Sequence, residues 1–133
     1  MNILLIDDDI DFGETMRLTL SSWGHRVTLN RNWLSLMRSL KEDSYDLIIA
    51  DIETPTGNGL TAFRFLNEDE SVREIELIFV SGLNDAETLR SCQELGAGHI
   101  HKSSSVFEDV RRALTKITDS HVTTLDPVGV SIP

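Results

Sequence analysis

Basic side chains are scarce in this chain of 133 residues: 12 lysines and arginines stand against 22 aspartates and glutamates, a formal charge of −10. Such a surface repels nucleic-acid phosphates and anionic lipid, so direct binding to either is not expected. Cysteine is reduced to Cys92 alone, which excludes an internal disulfide. Long apolar runs are missing as well, and no stretch approaches the ~20 residues of a membrane span. The first apolar run, Ile3 to Ile6, ends in acids, without the basic start and extended apolar stretch of a secretory signal. A soluble cytoplasmic protein is the expectation, long enough to bury one core and too short for two.

What the chain does have is alternation. Ile3 to Ile6, Leu47 to Ala50 and Leu77 to Val80 are short continuous apolar runs, the pattern of central parallel strands covered on both faces. His25 to Leu29 and Gly98 to His101 mix polar and apolar residues, as suits edge strands. Between them lie helical stripes: Phe12, Met16, Leu20 and Trp23; Trp33, Leu36, Met37 and Leu40; Leu60, Phe63 and Leu66; Leu89, Cys92 and Leu95; Phe107, Val110, Leu114 and Ile117. Gly24 and Gly96 stand where helices end, and Asn84 with Glu87 and Ser105 with Glu108 have capping-box spacing. Five repeats of strand then helix predict an α/β fold: a three-layer sandwich with a parallel five-stranded sheet between helices. After Thr118 the chain reads DSHVTTLDPVGVSIP, without periodicity, so residues 1–118 are expected to form the domain and 119–133 a tail or linker.

In an open parallel sheet the ligand crevice lies at the carboxyl ends of the strands. Here those ends carry Asp7 and Asp8, Asp51, Ser81 and Lys102. Three carboxylates converging there repel one another; a pair about 4 Å apart costs on the order of 4 kcal/mol at an effective dielectric near 20. A hard divalent cation relieves this, since magnesium takes oxygen ligands and commonly one or two carboxylates plus phosphate. Lys102 and Ser81 would then supply donors to a phosphoryl anion, and Asp51 would be free to act as a nucleophile.

The segments LLIDDD, DLIIADIETP with Gly59 following, LIFVSG and GAGHIHK, in that order, resemble the receiver domain of bacterial two-component response regulators over roughly Met1 to Thr118. The resemblance implies a flavodoxin-like (βα)5 fold with strand order 2-1-3-4-5. It also implies that Asp51 is the phosphoacceptor, Asp8 a direct magnesium ligand and Asp7 the second acid of the pair. Glu53 would offer its backbone carbonyl to the metal, Ser81 its hydroxyl to the phosphoryl oxygen, and Lys102 a pairing charge. The implied partners are a sensor histidine kinase or histidine phosphotransfer protein, and a downstream target or fused output domain. A homodimer through the last helices is a further option. Such a protein is a signalling phosphoacceptor rather than an enzyme, reset by hydrolysis of its acyl phosphate.

Several positions depart from the common pattern. Ser103 follows Lys102 where proline is usual, which makes a cis peptide there improbable. His99 holds the place of the usual switch tyrosine or phenylalanine, the segment GAGHIHK is one residue short, and Glu53 and Thr54 replace commoner side chains. Two alternatives follow: a degenerate receiver that binds partners without phosphorylation, and a haloacid-dehalogenase-type phosphohydrolase with Asp7 as nucleophile and Asp9 as second acid. Against the latter, Asp51 would have no task. Asp9 and Asp11 are otherwise helix-start residues, His99 and His101 structural, Cys92 a small core hydrophobe, and Trp23 and Trp33 helix residues of the core margin.

Overall fold

A strand of four apolar residues has no face to offer solvent, so Ile3–Ile6 and Leu47–Ala50 are stable only inside a sheet covered on both sides. The computed structural model describes residues 1–54 and 57–129, with side chains for 1–53 and 57–120. In chain order the elements are β1 (Asn2–Ile6), α1 (Ile10–Ser22), β2 (Arg26–Asn30), α2 (Trp33–Glu42), β3 (Leu47–Ala50), β4 (Glu53–Thr54) and β5 (Gly57–Asn58). There follow α3 (Gly59–Leu66), the single turn α4 (Glu70–Arg73), β6 (Glu76–Ser81), α5 (Ala86–Glu94), β7 (Gly98–His101) and α6 (Val106–Gly129).

The main sheet is parallel in the order β2-β1-β3-β6-β7. Leaving out the small antiparallel hairpin β4-β5, this is the expected 2-1-3-4-5. Register aligns Ile6 with Ala50 and Ala50 with Phe79, so the central strands end nearly level. Chain contacts divide the molecule into Met1–Lys102, which holds the whole sheet, and a second unit from Ser103 that holds α6.

Within the first unit, Leu4, Ile6, Ile48, Ala50, Leu77 and Phe79 form one buried face with Leu36 of α2, Phe63 of α3 and Cys92 of α5. Phe63 sits edge-on to both Trp33 and Phe79, with centroids 5.4 and 5.7 Å apart. Cys92 is buried there, and burial pushes its thiol up, as expected of a packing residue. Ile3, Leu5, Ile49 and Val80 alternate to the opposite face, while α1 lies beside β1 and β2 with Met16 and Leu20 buried.

Helix ends differ in detail from the sequence signals. Gly24 and Gly96 do take positive φ, +94° and +70°, just past α1 and α5. But α5 is capped by Asp85, not Asn84: the Asp85 carboxylate accepts from the Thr88 N–H and hydroxyl. Within the second unit, the Ser105 hydroxyl donates to Asp109 in place of the expected box with Glu108, and Val106, Val110 and Leu114 are buried while Phe107 and Ile117 are half-buried. Past Thr118, where an irregular tail was expected, α6 continues to Gly129, and residues 130–133 lie outside the described residues. A helix once nucleated gains one hydrogen bond per added residue, so it extends through a run that has no packing stripe. The hairpin β4-β5 and the turn α4 are too short to leave a periodic signal.

Candidate functional site

The polar cluster is built by backbone pairing that continues one residue past each strand. Asp7 N–H donates to Asn30 O at 3.2 Å, Asp51 N–H to Ile6 O at 3.1 Å, and Lys102 N–H to Ser81 O at 2.8 Å. These bonds bring the residues after β1, β3 and β7 to one edge of the sheet. Asp7 is only 2% exposed and Asp51 8%, while Asp8 is half-buried. One carboxylate oxygen from each of Asp7, Asp8 and Asp51 lies within 4.8 Å of the other two.

Lys102 closes the cluster. Its Nζ donates to Asp7 Oδ2 at 3.0 Å and to Asp51 Oδ2 at 3.1 Å. It also stands 4.4 Å from the centroid of the Phe12 ring. Burial pushes the Asp7 carboxyl above the usual range, and the Asp9 N–H, 2.9 Å from Asp7 Oδ1, and Lys102 only partly offset this. For Lys102 burial acts downward, but the hydrogen bond and charge of Asp7 and then the charge of Asp51 outweigh it and hold the ammonium above its ordinary value.

Three carboxylates and one ammonium leave a formal surplus of two negative charges in this cluster. The donor set is entirely oxygen, without cysteine or histidine, which suits magnesium or calcium rather than zinc. An acidic pocket able to hold a divalent cation is therefore present beside a buried, lysine-paired carboxylate.

The chain matches the model of the response regulator receiver domain over residues 3–115. It belongs to that family. The receiver is 27% identical over 128 residues to the transcriptional regulatory protein CrdR of Helicobacter pylori, covering 96% of this chain and 57% of that protein. It superimposes on a two-component response regulator from Clostridium difficile with a TM-score of 0.80 at 18% identity, covering 90% and 96% of the two chains. The non-phosphorylated receiver domain of HemR from Leptospira biflexa gives 0.75 at 27% identity, covering 87% and 93%. The matched segment covers 14% of the transcriptional regulatory protein ZraR of Klebsiella oxytoca and 58% of the probable transcriptional regulatory protein SilR of Salmonella typhimurium, so the chain spans only part of the length of these curated relatives.

The other expected site residues stand on β6, β7 and β4. Ser81 is buried at the end of β6, its hydroxyl oxygen accepting from the Leu83 N–H at 3.0 Å. His99 Nε2 is 2.9 Å from Leu83 O, and His101 Nε2 is 3.2 Å from Gly82 O, so both histidines hold the loop that follows Ser81. That pairing is a structural use of the H-x-H motif. Glu53 lies in β4 with an exposed side chain. The peptide between Lys102 and Ser103 is trans, as the serine implied. Asp9 is exposed, caps α1 by accepting from the Phe12 N–H at 3.1 Å, and stands outside the acid trio. The phosphohydrolase alternative thus has no second acid at its expected place. Among the described residues no helix is long and apolar enough to cross a membrane.

Two features escaped the sequence reading: the loop anchorage by His101 and the aromatic contact on Lys102. Phe12 had a place on the apolar stripe of α1, and spacing alone does not tell a ring facing the core from one facing a lysine.

Proposed function

We propose that this receiver accepts a phosphoryl group on Asp51 from a phosphohistidine of a sensor histidine kinase or histidine phosphotransfer protein. The observation that carries it is Asp51 itself: a nearly buried carboxylate, bonded to Lys102 and grouped with Asp7 and Asp8 at the strand ends. An Asp51 carboxylate oxygen attacks phosphorus as the P–N bond of the donor breaks, the electron pair leaving with the imidazole. Asp7, Asp8, Asp51 and the Glu53 carbonyl would hold Mg2+, which supplies charge neutralisation to the phosphoryl oxygens. Lys102 passes from the carboxylates to a phosphoryl oxygen, keeping a charge-assisted bond throughout. The Ser81 hydroxyl turns from Leu83 to donate to another.

Because Leu83 O is held by His99, movement of Ser81 disturbs the same loop and β7, and this is how the local event reaches the surface. Ser81 and His99 are the switch residues of this reading. The receiver comprises residues 1–118, with 119–133 a C-terminal tail or linker. The protein acts in the cytoplasm as a phosphoacceptor that assists its own phosphorylation and dephosphorylation, addresses a downstream protein target, and pairs, if it dimerises, through the last helices.

The test is intact mass after incubation with Mg2+ and acetyl phosphate or phosphoramidate. A phosphate-sized gain that disappears in Asp51→Asn and without Mg2+ is expected. No gain from either donor or from a kinase, with the fold intact by circular dichroism, would mean a phosphorylation-independent interaction module. A gain kept in Asp51→Asn and lost in Asp7→Asn would mean a hydrolase.

A further inference from the structure

Four contacts around the acid cluster form a closed circuit. Asp7 Oδ1 accepts the Asp9 N–H at 2.9 Å; the Asp9 carboxylate accepts the Phe12 N–H at 3.1 Å; the Phe12 ring faces Lys102 Nζ at 4.4 Å; and Nζ returns to Asp7 Oδ2 at 3.0 Å. The third aspartate of the opening triplet thus seats an aromatic ring against the one ammonium of the site.

We propose that Phe12 is a positioning residue for Lys102, holding the ammonium over the acid cluster while using none of its N–H donors. This rests on the phosphoacceptor reading of Asp51, and deepens it. Lysine is a point charge on a flexible four-carbon stem, and here Ser103 does not restrict the backbone after it as a proline ring would. Its aim therefore depends on what the side chain touches. The two carboxylate contacts cannot serve through the reaction, because Lys102 must give them up, in whole or part, to reach a phosphoryl oxygen. The ring contact has no such conflict. A quadrupole attracts the cation over its face without occupying a proton, so all three N–H groups stay available to the incoming anion. The ring also shields the ammonium on one side, where water would otherwise compete. Capping fixes the ring in turn: with its own N–H bound to Asp9, Phe12 begins its turn of α1 in a set direction.

The test separates the ring's face from its bulk. Phe12→Leu keeps an apolar side chain and removes the quadrupole; Phe12→Tyr keeps both. The chain has three lysines, Lys41, Lys102 and Lys116, so the side-chain ε resonances of isotopically labelled lysine can be assigned by single substitution. In the wild type the Lys102 ε protons are expected upfield, with nuclear Overhauser contacts to an aromatic ring. The shift should vanish in Phe12→Leu and persist in Phe12→Tyr. With acetyl phosphate and Mg2+, the initial rate of phosphate gain should fall about two- to thirtyfold in Phe12→Leu, the range of one exposed-to-buried cation–π contact, and stay near wild type in Phe12→Tyr.

A Lys102 resonance without the upfield shift or the ring contact in the wild type overturns the proposal, as does a wild-type rate in Phe12→Leu. A slowed rate with an unmoved Lys102 resonance also overturns it, because the effect would then run through the packing of α1. Should Phe12→Leu fail to fold, the wild-type and Phe12→Tyr spectra decide the question alone. If the wild type takes up no phosphate, it is the phosphoacceptor reading that fails, while the spectra still report whether the ring holds the lysine.

Discussion

Asp7 concentrates the electrostatic tension of the site in one residue. Its carboxyl is raised by burial despite the Asp9 N–H and Lys102, so its ionised form is less favourable in the folded chain than in the unfolded one. For a carboxyl with a raised folded pKa, the stabilising contribution is full below the unfolded value, about 3.9, and is lost as pH rises through the raised folded value. At neutral pH the metal-free protein carries that loss. Asp7→Asn removes it and keeps an oxygen for the Asp9 N–H, while Lys102 keeps Asp51. The variant is expected to be more stable than the wild type by about 1 kcal/mol, a few degrees in Tm, when melted at neutral pH without metal. Near pH 3 the two curves should meet. Lys102 has the opposite bearing on function: its raised pKa keeps it charged throughout the neutral range, and its contribution fades only as pH rises past the ordinary lysine value and through its own.

At the level of elements, two glycines in helices have opposite requirements. Gly13 is inside α1, and a Cβ there would meet Leu29 Cδ1 at 3.4 Å and Asp7 Cβ at 3.5 Å, ordinary contact distances. Gly13→Ala should therefore stabilise by about 0.5–1 kcal/mol, the usual gain from removing a glycine from a helix interior. Gly59 opens α3, and its N–H donates to Ile52 O at 2.6 Å. A Cβ there would fall 2.6 Å from the Asp51 carbonyl oxygen and 3.2 Å from Ile52 Cα, both backbone atoms. Gly59→Ala should cost about 1–3 kcal/mol, as overpacking does, and slow phosphate gain because the displaced backbone is that of Asp51. Denaturant melts of the two variants, run beside the mass assay, check both signs. The sequence marks Gly59 for its place after DIETP and before the stripe of Leu60, Phe63 and Leu66; the close approach of the Asp51 and Ile52 backbone is a fact of packing.

Across the whole molecule, charge and sheet order act together. A chain of formal charge −10 that gathers Asp7, Asp8 and Asp51 within 4.8 Å is stabilised by whatever cation it binds. Mg2+ should stabilise the fold by about 2.7 kcal/mol when the free ion is a hundredfold above Kd, so that Tm rises with its concentration. Asp8→Asn should flatten that dependence while leaving the metal-free melt close to wild type, since Asp8 is only half-buried. A Tm in Asp8→Asn that climbs with Mg2+ as in the wild type would place the ion elsewhere.

The pattern of apolar runs and helical stripes was enough, by itself, to determine five strand–helix repeats, the parallel sheet and the strand ends where Asp7, Asp8, Asp51, Ser81 and Lys102 stand. Those features are periodic or terminal, and burial of both sheet faces admits few other arrangements. Only the tertiary structure decided which neighbours those side chains meet. Lys102 lies 95 residues from Asp7 and 51 from Asp51, and its bonds to both exist because β7, β1 and β3 end at one edge. The seat of Phe12 on the lysine, the grip of His99 and His101 on the loop after Ser81, and the cap from Asp85 rather than Asn84 are likewise matters of side-chain direction. Periodicity specifies a face, and not the partner that packing brings to it.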